Sequence, residues 1–225
     1  MKRRQFGVVG LGRFGSAMAT SLADLGQDVI GVDSDAEKVR QLADTITQAV
    51  ELDATDERAL RTVGIQDVDV AVVSIGENIE SSLLVVMQLR ELGVTSIIAK
   101  AVTPLHGRIL QKLGVSRVSF PEREMAMRIA HSLVMPNVID YIELSSDFSI
   151  VELPAPDIFI GRTLKQLELR PKYGLTLIAI KRRPDGTGKE VTNIAPSADE
   201  VIRAGDVLSI LGSNERLGAL DARLK

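Results

Sequence analysis

The chain has 225 residues, 45% of them hydrophobic, which is enough for one large core and a smaller second one. Its 27 basic and 30 acidic side chains are interspersed and give a net charge of -3. Without a basic field, nucleic acid is not an expected partner. The absence of cysteine excludes disulfides and thiolate zinc sites. Apolar stretches are short and interrupted by charge, so we expect a soluble cytoplasmic protein.

Residues 6–120 alternate short apolar runs with segments of helical period, a pattern typical of a parallel sheet with crossover helices. In one of these helices Leu105, Ile109 and Leu113 are predicted to form the buried stripe. The predicted fold class is therefore α/β, with a Rossmann-type doubly wound parallel sheet. Its strands are expected at residues 6–9, 29–33, 49–52, 70–74, 97–100 and 118–120.

Residues 122–135 predict a helix that is apolar on two sides. One stripe is formed by Met125, Ile129 and Leu133, and a second by Met127, Ala130 and Val134. Two apolar sides need two partners. We expect the chain's own domain to cover one side, and a neighbouring subunit or the next domain to cover the other. A helix buried wholly within one chain is the alternative.

The pattern changes to strand-like runs with tight turns near residue 146, after Pro136 and Asn137 interrupt the helix. We predict a Rossmann nucleotide-binding domain at 1–121, a crossover helix and connector at 122–145, and a smaller C-terminal α+β lobe at 146–225. In the lobe, strands are expected at 150–153, 175–181, 191–194 and 207–211. A short helix is expected at 164–167 and a turn at 184–186.

A glycine-rich turn follows the first predicted strand and opens a helix. In this context the motif indicates a phosphate-binding loop rather than a chance match. Gly10 permits the tight turn, Gly12 lets phosphates approach the backbone, and Gly15 brings helix and strand together. The helix N-terminus then offers free amides and a positive dipole to an anion. The motif reads Gly10-Leu11-Gly12-Arg13-Phe14-Gly15.

Polar and glycine residues also follow the later strands. Asp33 ends the second strand, where a carboxylate accepts hydrogen bonds from ribose hydroxyls and repels a 2′-phosphate, so NADP is disfavoured. The carboxyl ends of the third, fourth and fifth strands meet the same edge of the sheet. Ordinary loops are the alternative for each of these segments. The further candidate binding residues are Asp53, Ala54, Thr55, Ile75, Gly76 and Lys100.

Catalytic machinery is not evident in the sequence. The two histidines, His106 and His131, fall on predicted helices without an identifiable partner, and structural roles are expected for both. No nucleophile elbow, metal-ligand cluster or Walker-type loop occurs. We therefore predict a protein that is not an enzyme. The glycine motif alone would also allow a small NAD-dependent oxidoreductase or redox sensor, which is the alternative function.

With these motifs in place, the chain resembles the Ktr/Trk-type potassium uptake regulatory subunits, whose domains are called RCK or KTN domains. The likeness extends over nearly the whole chain, and a single copy of each lobe is similar to the Ktr type. Besides the glycine motif and Asp33, the resembling segments are residues 53–55, 99–101, 121–125, 172–174, 180–181 and 204–208.

The resemblance implies a nucleotide-binding gating subunit, with ATP and ADP favouring different shapes of an RCK ring. The ring would be an octamer built from dimers, docked on the cytoplasmic face of a membrane potassium-translocating subunit. NAD or NADH is a further candidate ligand, and some family members bind cyclic di-AMP in the C-terminal lobe. Arg13 would meet the terminal phosphate, and Glu122 would lie near a cation beside the phosphates. From the residues alone, we expect Glu122 to be a charge in the first turn of a helix rather than a cation ligand.

Overall fold

The structure is a computed structural model and describes residues 3–135, 137–183 and 190–223. The chain divides into two compact units, Met1–Glu122 and Arg123–Lys225. Among the described helices, none combines the length and the apolar character needed to cross a bilayer. The predictions for Pro136 and for the turn at residues 184–186 lie outside the described residues.

The first unit contains a six-stranded sheet in which all described strand pairings are parallel. The strand order is β3-β2-β1-β4-β5-β6, so the direction of winding reverses between β1 and β4. This confirms the predicted doubly wound sheet, with each strand boundary within two residues of its expected place. The strands are β1 Gln5–Val9, β2 Asp28–Asp33, β3 Gln48–Glu51, β4 Val70–Val73, β5 Ile97–Lys100 and β6 Arg117–Ser119.

Helices connect these strands and begin at the carboxyl edge of the sheet. Side chains that accept hydrogen bonds from first-turn amides cap four of them, and these caps are Asp35, Asp56, Asn78 and Thr103. Such residues satisfy amides that have no partner within the helix. The helices are α1 Arg13–Asp24, α2 Ala36–Leu42, α3 Glu57–Thr62, α4 Ile79–Glu91 and α5 Pro104–Lys112.

Both faces of the sheet are covered, because neighbouring residues of its central strands point to opposite sides. Val8 of β1 belongs to an apolar cluster that includes Ala19 of α1 and Leu42 of α2. Val9, the next residue, belongs to a second cluster that includes residues of α3, α4 and α5. Continuous apolar strands are expected where helices lie on both faces, as the sequence pattern indicated.

The buried face of α5 differs from the prediction. Leu105 and Ile109 are 59% and 36% exposed, while His106, Gly107 and Leu110 are buried. The physical reason is close packing at Gly107, where an added Cβ would meet the ring of Phe120. Histidine and glycine do not count as apolar in a hydrophobic pattern. The pattern therefore predicted a buried stripe that lies one residue away from the face that packs.

The helix that follows, α6 Pro121–Val134, has no buried residue. Its apolar side chains are 42–77% exposed, which contradicts a helix buried wholly within one chain. The exposed side chains are those of Met125, Met127, Ile129, Leu133 and Val134. Polar contacts hold α6 to the second unit, since Arg128 binds Asp140 and the ring of His131 stacks on Tyr141 at 4.3 Å.

The second unit is an antiparallel sheet with short helices, which confirms the predicted α+β lobe. Its strand order is β10-β9-β11-β8-β7. The strands are β7 Asp140–Glu143, β8 Phe148–Pro154, β9 Thr176–Arg182, β10 Val191–Ile194 and β11 Val207–Ser213. The helices are α7 Leu164–Leu167, α8 Leu169–Tyr173 and α9 Asn214–Arg223. β7 lies within residues 122–145, so the segment predicted as a connector includes a strand of this sheet.

Candidate functional site

A cavity of about 750 Å³ opens at the carboxyl edge of the parallel sheet. Its walls are formed by the segments that follow β1 to β5 and by the first turn of α6. Open α/β sheets bind ligands outside the carboxyl ends of their strands, at the point where the winding reverses. The cavity has this position, because residues after β1 and after β4 both line it.

Three glycines lie in and just after the turn between β1 and α1, and they differ in whether the chain itself requires glycine. Gly10 has a φ of +91°, a left-handed conformation that favours glycine. At Gly15 an added Cβ would collide with the carbonyl oxygen of Gly10 and the hydroxyl of Ser74. Gly12 has an ordinary φ of -65°, and its added Cβ would meet no atom within 4 Å. Neither backbone conformation nor packing within the chain therefore requires glycine at position 12.

The start of α1 offers two features that attract an anion, the helix dipole and the side chain of Arg13. Gly12 caps this helix without a side-chain hydrogen bond, and the first turn of α1 contains no acidic residue. Arg13 is exposed at the cavity wall and forms no ion pair with a described carboxylate. This arrangement suits an anion bound at the helix N-terminus.

Asp33 holds the glycine turn against the end of β2. One of its oxygens accepts a hydrogen bond from the Leu11 amide at 2.6 Å, and the other accepts from the Asp35 amide at 2.9 Å. The ammonium of Lys38 lies 3.7 Å from the same carboxylate. An ionised carboxylate has about four acceptor positions, so lone pairs remain for ribose hydroxyls.

The loop after β3 is folded around Asp53. A carboxylate oxygen of Asp53 accepts hydrogen bonds from the Thr55 hydroxyl at 2.7 Å and the Thr55 amide at 2.9 Å. These two bonds hold the pKa of the Asp53 carboxyl below its usual value, against a small opposing effect of burial. Asp53 is therefore a carboxylate at neutral pH, oriented by the loop that carries it.

On the other side of the cavity, Lys100 of β5 forms an ion pair with Glu122. Gly76 leaves room for this lysine, because an added Cβ there would lie 3.4 Å from its Cε and Nζ atoms. The lysine side chain is 13% exposed, whereas that of Glu122 is 69% exposed. The hydrogen bond from Lys100 lowers the pKa of Glu122, while burial acts in the opposite direction. The cavity thus holds a largely buried ammonium whose partner is an exposed carboxylate.

These features agree with the comparisons to known proteins. Residues 6–121 match the TrkA-N domain, and residues 148–225 match the TrkA-C domain. The chain is 41% identical over 222 residues to Ktr system potassium uptake protein C of Bacillus subtilis (strain 168), with 99% of this chain and 98% of that protein covered. The chain belongs to the Ktr/Trk family of potassium uptake proteins.

A second relative supports the assignment, and a solved structure shows the fold. Ktr system potassium uptake protein A of Bacillus subtilis (strain 168) is 39% identical over 212 residues, covering 94% of this chain and 93% of that protein. The crystal structure of the GsuK RCK domain has a TM-score of 0.63 at 19% identity, covering 98% of this chain and 47% of that chain. The structural likeness shows that this Ktr/Trk-family chain has the RCK fold.

The structure brings the candidate residues of this Ktr/Trk-family chain together around one cavity. Only Gly15 among them is not part of the lining, because it packs behind the turn. The candidates that line the cavity are Gly10, Gly12, Arg13, Phe14, Asp33, Asp53, Ala54, Thr55, Ile75, Gly76, Lys100 and Glu122.

Some lining residues were missed by sequence reasoning. Lys38 comes from α2, and Glu77, Asn78 and Ser81 come from the start of α4. Asn78 could have been found as an N-cap, since it is an asparagine directly before a helical pattern. Lys38 has no such signal, because it lies beyond the strand end on an exposed helix.

The histidines lie apart from the cavity lining. His106 is 1% exposed, and its Nδ1 is 3.5 Å from the Val102 amide. Its Nε2 has no hydrogen-bond partner among the described residues. Burial lowers the pKa of His106, so the ring is neutral at pH 7. This is the structural role predicted for His106.

Proposed function

We propose that the chain is the nucleotide-binding regulatory subunit of a potassium uptake system, in which ATP and ADP favour different conformations of an RCK assembly. The two Bacillus relatives are named as potassium uptake proteins of Ktr systems. This chain matches them over 99% and 94% of its length, so the proposal extends to the role of the whole protein. Its partner is a membrane subunit that translocates potassium, which puts the chain at the cytoplasmic face of the membrane.

The open space at Gly12 is the observation that carries the nucleotide proposal. The backbone conformation there suits any residue, and an added Cβ would meet no described atom within 4 Å. Glycine at this position is explained by a ligand that approaches the backbone closely, as a phosphate does at a helix N-terminus. Asp33 lies at the adjacent strand end, where a ribose would follow the phosphates.

The charges suit a polyphosphate ligand. Arg13, Lys100 and the N-terminus of α1 supply positive potential, and Arg13 forms no ion pair among the described residues that would compete with a terminal phosphate. ATP carries one phosphate more than ADP, so contact between Arg13 and that phosphate distinguishes the two nucleotides. NAD(H) fits the glycine turn and Asp33 equally well and is a further candidate ligand.

A cation beside the phosphates would have to be coordinated by the protein and the nucleotide together. The described residues contain no cluster of three or more histidine, cysteine, aspartate or glutamate side chains that could hold a metal ion by themselves. Glu122 is a hard oxygen ligand, and phosphate oxygens would complete the coordination of a divalent or monovalent cation. We therefore propose that Glu122 takes up such a cation only together with the nucleotide, in place of its ion pair with Lys100.

We propose regulation without turnover. An oxidoreductase needs a proton donor or acceptor beside the nicotinamide, and neither histidine contributes to the cavity lining. The exposed stripes of α6 support assembly into dimers, which would combine into a ring of eight chains. Cyclic di-AMP remains a proposed ligand of the C-terminal lobe without assigned residues.

The test is the substitution Gly12→Ala, with the affinity for ADP measured by calorimetric titration of nucleotide-free protein. The added methyl group occupies space next to the phosphates, so we expect the dissociation constant to rise roughly tenfold or more. The thermal midpoint should stay within about 3 °C, because the methyl group meets no atom of the chain.

Gly218→Ala in α9 is the matched control, because its added Cβ also meets no atom within 4 Å. It should leave the affinity for ADP unchanged. Wild-type protein that binds neither ATP nor ADP would contradict the proposal, and so would Gly12→Ala protein with wild-type affinity. A potassium-translocating subunit that copurifies with the chain would separate this function from that of a free nucleotide sensor.

A further inference from the structure

Gln88 is a buried polar side chain on α4, outside the residues that line the cavity. It is 8% exposed, and its helix neighbours Val85, Val86 and Leu89 are buried in the apolar cluster beneath the sheet. Its amide nitrogen Nε2 donates a hydrogen bond of 2.6 Å to the carbonyl oxygen of Thr55, which is 33 residues earlier in the chain. The bond joins α4 to the loop after β3.

The position of Gln88 is unfavourable for an amide. Its oxygen Oε1 is buried and has no hydrogen-bond partner among the described residues. A buried acceptor without a partner lowers stability, and an unbranched apolar side chain of the same length would avoid that penalty. The carbonyl of Thr55 accepts only from the NH₂ group, so the bond also fixes which way the amide points.

Thr55 connects Gln88 to the cavity. The carbonyl of Thr55 is held by Gln88, while its amide and hydroxyl both donate to the same oxygen of Asp53. A continuous path of hydrogen bonds therefore runs from the buried side of α4 to a carboxylate in the cavity wall. The second oxygen of Asp53 takes no part in this path.

We infer that Gln88 is a positioning residue for the nucleotide site, which holds Thr55 and through it the carboxylate of Asp53. The inference rests on the proposed nucleotide binding. In the proposed binding mode the phosphates lie at the start of α1, after β1, and the ribose lies at Asp33, the end of β2. Because β3 is the neighbour of β2 in the sheet, the loop after β3 lies next to the ribose. Gln88 thus supports the part of the site that takes the nucleoside end of the ligand.

The experiment compares Gln88→Met with Leu89→Ala in the full chain. Methionine keeps the length of the side chain and removes the donor, so ADP affinity should fall roughly five- to tenfold. In nucleotide-free protein, hydrogen exchange of the Thr55 amide should become faster. The pKa of Asp53, followed by NMR of its carboxyl carbon, should rise toward its usual value because its donors are less well held.

Leu89→Ala is the matched control, because Leu89 is a buried neighbour on the same helix that packs in the apolar cluster. It should lower the thermal midpoint and leave ADP affinity, Thr55 exchange and the pKa of Asp53 at wild-type values. The inference is overturned if Gln88→Met protein is folded and matches the wild type in these three measurements. It is also overturned if Leu89→Ala changes them equally.

Wild-type protein that binds no ADP would contradict the proposed function rather than this inference. In that case the exchange rate of Thr55 and the pKa of Asp53 in ligand-free protein still decide whether Gln88 positions the loop. The two failures are therefore distinguishable in one set of samples.

Discussion

His106 shows how a single side chain ties stability to pH in this chain. Its ring is buried beside the start of α5, with Nε2 unpaired among the described residues. Protonation would place a charge in an apolar layer without a partner, which is why burial lowers the pKa of this histidine. The unfolded chain has no such restriction and takes up a proton near the ordinary pKa of about 6.5.

The sign of the pH dependence follows from this difference. As pH falls below about 6.5, the unfolded state binds a proton that folded His106 rejects, so stability decreases. We expect the calorimetric unfolding midpoint to drop between pH 7 and pH 5, and to drop less in His106→Leu protein. Carboxylates with lowered pKa lose their contribution only near pH 4 and below, outside this window. Equal pH profiles for the two proteins would contradict the assignment.

At the residue scale, the residues that line the cavity were predictable from the sequence where they lie at the end of a strand. Gly10, Asp33 and Lys100 follow or end apolar strands, and parallel strands present these positions at one edge. Gln88 and Lys38 were not predictable in this way. Each acts from a helix, and its contact depends on how that helix packs, which periodicity does not specify.

At the scale of elements, α6 is a helix with five large apolar side chains that the described chain leaves exposed. Its N-terminal turn carries Glu122 in the cavity wall, while Arg128 and His131 bind residues of β7. Its two apolar stripes face no described residue closely enough to be buried. A second copy of the same helix is the partner that the proposed dimer supplies.

Replacing Ile129 and Leu133 together by glutamine tests this dimer. The two side chains are 50% and 77% exposed in the single chain, so the change should leave the fold intact. Each buried aliphatic side chain stabilises an interface by about 1.5–3 kcal/mol, so the dissociation constant should rise roughly a hundredfold or more. Light scattering coupled to gel filtration should then report a smaller assembly.

Leu25→Gln is the control for that measurement, because Leu25 is 70% exposed and follows α1 rather than lying on α6. It should keep the wild-type mass. If the doubly substituted protein also keeps the wild-type mass at micromolar concentration, α6 does not carry the dimer.

Several helices and strands of the second unit were not predicted from the sequence, for physical reasons. β7 is an edge strand in which Tyr141 is the one buried residue, so it has no alternating pattern long enough to detect. α8 has five residues and contains Pro171, and α9 contains Gly218, so propensity argues against both. They form because the lobe's core accepts Leu169, Leu217 and Leu220, and tertiary packing overrides local preference.

At the scale of the whole molecule, the two units differ in how they are stabilised. The first has apolar clusters on both faces of a parallel sheet. The second adds an ion pair to a buried carboxylate, in which the partly exposed Arg182 donates to both oxygens of Asp206 at 2.7 Å. Burial opposes ionisation of Asp206, but the bonds from Arg182 and from the Arg203 amide outweigh it and lower its pKa.

The repeated strand–helix alternation and the antiparallel lobe were predictable because hydrophobic period and turn residues agree along most of the chain. The proposed response of an assembly to a nucleotide was not predictable in this way, because it would depend on contacts between chains. Arg13 is the residue on which the proposed discrimination between ATP and ADP depends, since it lies at the cavity wall with no described carboxylate as partner.

Calorimetric titration with ATP and ADP, for wild type and Arg13→Ala, tests the central claim most directly. A charge-assisted hydrogen bond contributes about 1.5–3 kcal/mol, so the substitution should weaken ATP roughly tenfold more than ADP. Parallel titrations with NADH and NADPH complete the comparison. Binding of NADH alone, or equal effects of the substitution on ATP and ADP, would contradict a switch that senses the terminal phosphate.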